Sequence, residues 1–260
     1  MNFTIGADPE VFVGDDVSVR SVIGKIGGSK HMPRPLVKLG PGFAVQEDNV
    51  AMEFNIPACS TKAQFVSSIN KATGYLAGLI RETHGLRFDK RSAVSFPETE
   101  FYDPAAYEFG CEPDYNAWTR RANPRPKAKD KNLRSCGGHI HIGFKDVDPH
   151  EVVKACDLFL SVPAQMMDNG ELRKQLYGKA GAFRMTQYGV EYRSLSNFWI
   201  FDSRLIEWAY DNTERALDAV RAGMSFDDEK DSILEAVDNG DKDIANLLIV
   251  KYGLEVAQRA

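Results

Sequence analysis

Apolar and polar positions alternate with period two in four places along this chain, the signature of half-buried strands. In residues 3–13 the apolar set is Phe3, Ile5, Ala7, Val11 and Val13, and Asp8 and Glu10 fall on the other face. In residues 45–56, Val50, Met52, Phe54 and Ile56 oppose Glu47, Asn49, Ala51, Glu53 and Asn55. Residues 137–143, Gly-Gly-His-Ile-His-Ile-Gly, place His139 and His141 on one face and Ile140 and Ile142 on the other. Residues 190–195 put Glu191 and Arg193 side by side.

Between and after these strands the period changes to that of helices. Phe65, Ile69, Ala72, Leu76 and Leu79 predict a helix over residues 62–84, capped by Ser60 or Thr61 and stopped by Gly85. Asp148-Pro149-His150-Glu151 is a helix start that runs toward Pro163, where a kink or an end is expected. A third helix covers residues 203–221, and the tail beyond Asp227 reads as two short helices around Asn239-Gly240. Two irregular stretches remain. Residues 24–42 are rich in glycine and proline and carry Lys25 and Lys30. Residues 97–134 end in a basic run from Thr119 to Arg134, which is either a solvated loop or a lid whose cations meet an anionic substrate. With no repeat and no low-complexity linker, one α+β domain over residues 1–260 is the expectation, its last 60 residues being C-terminal helices.

The composition, 43% hydrophobic and 27% charged, is that of an ordinary globular chain. A net charge of -5 argues against nucleic acid as a partner, and no apolar run approaches the length of about 18 residues that spans a bilayer. The opening residues lack a signal stretch, and the four cysteines (Cys59, Cys111, Cys136 and Cys156) have no ligand spacing. A cytoplasmic protein with reduced thiols is expected.

By itself the His-x-His strand suggests a transition metal such as zinc. The other polar faces change that picture, because they add Asp8, Glu10, Glu47, Glu53, Glu191 and Arg193. Clustered carboxylates need cations, and an oxygen-rich set with little nitrogen suits Mg²⁺ or Mn²⁺ better than zinc. Several divalent ions in one site point to a polyanionic substrate such as a nucleoside triphosphate. Arg193 is placed to hold a phosphoryl group, with Arg184 and Lys179 as further candidates. No Gly-rich phosphate loop is present, so metals and arginines on a sheet would have to hold the phosphates.

The order Gly6-Ala7-Asp8-Pro9-Glu10, Glu47-x5-Glu53, His139-Ile140-His141 and Glu191-Tyr192-Arg193 resembles the glutamine synthetase and glutamate–cysteine ligase superfamily. Within it the chain looks like the phage-encoded carboxylate–amine ligases of the type 2 group. The longer runs 46–58, 109–118 and 191–199 carry that likeness, which spans about residues 3 to 200. The resemblance implies a curved antiparallel sheet with helices packed on its convex face, as in the glutamine synthetase catalytic domain, and a site on the concave face. It implies ATP-dependent amide formation through an acyl phosphate, with Mg²⁺. By motif position, Asp8, His139 and Glu191 would hold one ion, and Glu10, Glu47 and Glu53 another. Arg193 would meet the γ-phosphate, His141 would face nucleotide or substrate, and Asp114 or Glu53 would serve as base. The chain departs from glutamine synthetase in its shorter Glu47–Glu53 gap and its smaller size.

Other functions stay open at this point. A kinase of guanidino or amine nitrogen could use the same fold, a degenerate module could bind nucleotide without turnover, and a zinc hydrolase could use the histidines. For a ligase the partners would be small-molecule or peptide carboxylates and amines, in the cytoplasm of a phage-infected bacterium. Nothing in the sequence names the substrates or the oligomeric state.

Overall fold

The computed structural model describes residues 3–107, 114–124, 126 and 129–257, and the 109–113 part of the expected motif lies outside them. Strands β1 (Thr4–Ala7), β2 (Glu10–Gly14), β3 (Val19–Arg20), β4 (Arg34–Pro35), β5 (Ala44–Asp48) and β6 (Ala51–Asn55) precede helix α1 (Lys62–His84). Next come β7 (Arg87–Asp89), β8 (Ala93–Ser95), β9 (Tyr115–Asn116), β10 (Arg121–Ala122), β11 (Leu133–Ser135) and β12 (Ile140–Gly143). Helix α2 (Pro149–Cys156) continues through a π-helical turn, Asp157–Ser161, into the short α3 (Val162–Ala164). Strands β13 (Ala182–Met185) and β14 (Gly189–Tyr192) are followed by α4 (Ser203–Arg221), α5 (Lys230–Asp238) and α6 (Lys242–Tyr252).

The fold is mixed α+β with antiparallel pairing throughout its ladders. One sheet has the order β1-β12-β14-β13-β9-β10, and a second runs β3-β2-β6-β5-β4 with β7 beside β2. The expected single strand over residues 3–13 is therefore two strands in two sheets. Pro9 sits at the break, where it has no N–H to give to a ladder. The sheets stay joined across that corner. Phe54 N–H donates to Pro9 O, Ile56 N–H to Ala7 O, and Glu10 N–H to Gly137 O, so the whole surface curls around residues 7–10.

The alternation assigned the faces of the first sheet correctly. Ile5, Ile140, Ile142, Val190, Tyr192 and Phe183 join one large apolar core with Val11, Val13, Met52 and Phe54 of the second sheet. Helix α1 closes that core with Phe65, Ile69, Ala72, Leu76 and Ile80, and its ends are those the sequence predicts: Thr61 caps it and Gly85 terminates it in the left-handed conformation. The opposite face of the second sheet carries a smaller cluster around Phe12, Ala51, Phe96 and Phe101. Cys59, Cys136 and Cys156 are buried free thiols. Among the described residues no helix is long and apolar enough to cross a membrane.

Candidate functional site

The polar face of the first sheet is one cross-strand row. Gly6 pairs with His141, His141 with Glu191, and Glu191 with Arg184. Strand β12 begins only at Ile140, so His139 lies just ahead of it, and the expected strand over 137–143 is shorter. The two glycines before it are needed by the protein's own atoms. A Cβ on Gly137 would lie 2.2 Å from His139 Nε2, and one on Gly138 would lie 2.3 Å from Ser196 O. The His139 ring therefore folds over Gly137 while the 195–199 backbone packs on Gly138.

Two groups of possible ligands result. Asp8, His139 and Glu191 present one atom each within 4.8 Å of one another, and so do Glu10, Asp48 and Glu53. The Asp8-Pro9-Glu10 corner supplies one member to each group. The first group matches the set implied by the resemblance. The second holds Asp48 where Glu47 was expected, and the register explains why. Residues 45–56 form a hairpin, with Asp48 opposite Ala51 and Gln46 opposite Glu53. Asp48 and Glu53 therefore share a face, and Glu47, opposite Met52, points the other way. There it accepts hydrogen bonds from the backbone N–H groups of Gly24 (3.0 Å), Ile26 (3.1 Å) and Gly27 (2.8 Å). Glu47 organises the glycine-rich loop and is not in the acidic group.

Glu191 is 3% exposed and pairs with Arg193, and also with Arg184 at 3.1 Å. Arg193 Nε lies 2.6 Å from Asp114 Oδ1, so Asp114, expected as a base, is engaged with the arginine. His141 Nε2 is 2.9 Å from Asp8 Oδ1, and its Nδ1 meets the Tyr188 hydroxyl. Burial opposes ionisation of Asp8, but the charges and hydrogen bonds of His141 and His139 hold its carboxyl far below the usual range. His141 is correspondingly raised, Asp8 outweighing the effect of burial. Glu10 is pushed up to about 7 by burial, although Gly137 N–H donates to it at 2.7 Å. Glu53 is raised well above its ordinary value by burial and by the charges of Asp8, Asp48, Glu10 and Glu191.

These shifts test the fit of a metal. Among the described residues no cationic side chain forms an ion pair with Glu10, Asp48 or Glu53, and all three converge in a partly or fully buried space. Such a set must bind protons or a cation, and hard oxygen donors fit Mg²⁺ or Mn²⁺. The Asp8, His139 and Glu191 group is also suitable, with one nitrogen and two carboxylates.

Lys179 is not part of this assembly: it is exposed, and its Nζ donates to Asp238 O (3.2 Å) at the end of α5. Lys25 donates to Ser21 O (2.6 Å) within its own loop. Of the basic run, Arg120 faces Asp148 at 3.6 Å, and buried Arg134 donates to the carbonyls of Ala106 and Leu133. Residues 125, 127 and 128 of the run lie outside the described residues. A cleft opens beside the acidic groups, lined by Glu10, Asp48, Asp114, His139, Arg193 and the buried Arg173. The sequence pattern offered no sign of Arg173, which sits in a single 3-10 turn. Asp48 had one: the Asp48-Asn49 pair is turn chemistry that marks a hairpin.

Fold and site together define a mixed α+β protein whose curled sheet gathers two acidic groups and an arginine beside a cleft. Residues 129–243 match the family described as phage phiEco32-like COOH.NH2 ligase-type 2, the family that the motifs resemble. That description is of a carboxylate–amine ligase. The matched segment holds His139, His141, Arg184, Glu191 and Arg193, whereas Asp8, Glu10, Asp48, Glu53 and Asp114 lie outside it. No curated protein matches the chain.

Proposed function

We propose that the protein is an ATP-dependent ligase that joins a carboxylate to an amine through an acyl phosphate. The observation that carries this reading is the buried Glu191–Arg193 ion pair, whose carboxylate belongs to one of two groups of metal-type ligands. Asp8, His139 and Glu191 would hold one divalent ion, and Glu10, Asp48 and Glu53 a second. Ions bound there would neutralise charge on the phosphates.

The chain's own residues have distinct tasks. Arg193, fixed by Glu191 and Asp114, presents its guanidinium to the phosphoryl group in flight. His141, oriented by Asp8 and Tyr188, faces nucleotide or substrate. The substrate carboxylate takes the terminal phosphoryl group of ATP, which leaves ADP and an acyl phosphate. The amine then attacks the acyl carbon, phosphate departs, and the amine loses a proton to a base, for which Glu53 is the remaining candidate, Asp114 being held by Arg193. Positioning and charge neutralisation supply most of the acceleration. Small-molecule or peptide carboxylates and amines are the substrates expected.

Purified protein with Mg²⁺, ATP and mixed amino acids and amines should release ADP and phosphate and yield a new amide by mass spectrometry. Glu191→Gln should lower that turnover by roughly a hundredfold or more, since Arg193 loses its fixed partner. Unchanged turnover in this variant would mean that the chemistry lies elsewhere. A stable phosphoramidate in place of an amide would make the protein a kinase.

A further inference from the structure

Arg173 is 4% exposed, yet among the described residues no carboxylate is bonded to it. Its Nη1 donates to Ser194 O (2.9 Å) and its Nη2 to Arg193 O (3.3 Å), both backbone acceptors, and its Nε has no partner among the described residues. A guanidinium withdrawn from water without a counterion is costly to keep. The fold nevertheless makes room for it. Gly178 holds a φ of 84°, and a Cβ there would lie 2.2 Å from Arg173 Nη1. Glu10 and Asp168 are close enough to act on its charge but make no bond to it. Arg173 lines the cleft beside Arg193, with Leu176 and Tyr177 adjoining and Phe12 and Val50 also in the wall.

We propose that Arg173 anchors an oxyanion subsite in this cleft, and that its ligand is a carboxylate carried on a short apolar skeleton. The inference rests on the ligase reading for its place in the reaction. Phosphate is the other source of an oxyanion, and the apolar part of the cleft wall favours carboxylate. The Leu176, Phe12 and Val50 surfaces suit carbon better than a phosphate chain. A carboxylate bound at Arg173 would give the buried guanidinium a counterion and hold the substrate in the cleft that Arg193 also lines.

The test is binding, measured by calorimetry on the full chain with Mg²⁺ and without ATP. The probes are succinate, glutarate and L-glutamate, with glutaramide as the neutral control and inorganic phosphate and ADP as competitors. At least one dicarboxylate should bind, glutaramide should not, and neither phosphate nor ADP should displace the bound acid. Arg173→Gln should weaken the dicarboxylate tenfold or more. Because that change also removes bonds to residues 193 and 194, Ser135→Asp is the second variant. It adds a negative charge to the cleft wall without touching Arg173, and should weaken the same probe at least as much. The proposal is overturned if no dicarboxylate binds, if both variants bind it as the parent does, or if phosphate or ADP displaces it. ADP release is scored separately. Dicarboxylate binding through Arg173 without turnover sinks the ligase reading alone, and turnover with an unchanged carboxylate KM in both variants sinks the subsite alone.

Discussion

Asp48 and Glu47 are neighbours with opposite tasks, and exchanging each carboxylate for its amide should separate them. Asp48→Asn removes a donor from the Glu10, Asp48 and Glu53 group, so Mn²⁺ affinity should fall roughly tenfold or more while thermal stability holds. Glu47→Gln weakens the acceptor for three backbone N–H groups in the glycine-rich loop, so the expected loss is stability, of about 1–3 kcal/mol, with metal affinity kept. Urea denaturation and metal titration of both variants check this, and loss of metal affinity in Glu47→Gln would restore it as a ligand. The error in the sequence reading has a simple physical origin. Read as one strand, residues 45–56 put every odd position on Glu53's face. A two-residue turn at Asn49-Val50, with Asn49 at a φ of 56°, makes the pairing 46↔53 and 48↔51 and flips the parity of the first arm. His139, Glu191 and Asp8 needed no such turn: alternation put them on polar faces, and the resemblance, not the alternation, implied their grouping.

At the scale of elements, the turn Asp157–Ser161 shows what a sequence rule can and cannot say. Pro163 was expected to bend or end the helix that starts at Pro149, and it lies just beyond a π-helical turn, where the missing N–H is tolerated. No rule indicated that this turn would bury Asp157 against Trp118 Nε1 (2.7 Å) and the Tyr192 hydroxyl (2.8 Å), on the core side of the strand that bears Glu191. Burial pushes the Asp157 carboxyl up from 3.8 to about 7, only partly offset by those hydrogen bonds. The sign of the linkage follows. Between about pH 4 and pH 7 the native state keeps this proton while the unfolded chain releases it, so the group's contribution to stability declines as pH rises through that window and is flat above it. In Asp157→Asn that share of the decline should vanish. Measured by urea denaturation at steps from pH 4 to 7.5, the difference between parent and variant should drift in the variant's favour by up to about 1.4 kcal/mol per pH unit. A difference that stays constant with pH would mean that Asp157 ionises normally.

For the whole molecule, local patterns identified the longer helices and the segments that become β1, β2, β5, β6, β12 and β14, but neither the remaining strands nor any strand's partner. Pairing β1 with β12 brings together residues more than a hundred positions apart, and pairing β12 with β14 residues about fifty apart; nothing in a period-two pattern encodes that order. The consequence is a curled sheet whose polar surface gathers at least five partly or fully buried carboxylates, an arrangement that opposes folding unless cations neutralise it. Divalent ions should therefore stabilise the native chain. At Mg²⁺ or Mn²⁺ concentrations about a hundredfold above Kd the gain is about 2.7 kcal/mol per site, and chelation should reverse it. The double variant Glu10→Gln and Glu53→Gln separates this from general salt effects. Relieved of two desolvated charges, it should be more stable than the parent without metal, and it should lose the part of the metal response that belongs to its group. Because Glu10 and Glu53 hold protons above their ordinary range, the metal must displace them, so the parent's gain should be larger at pH 8 than at pH 5.5. Unfolding curves with Mn²⁺ and with chelator at both pH values decide it. If the variant keeps the parent's full metal-dependent gain at pH 8, the ions bind somewhere other than the corner between the two sheets.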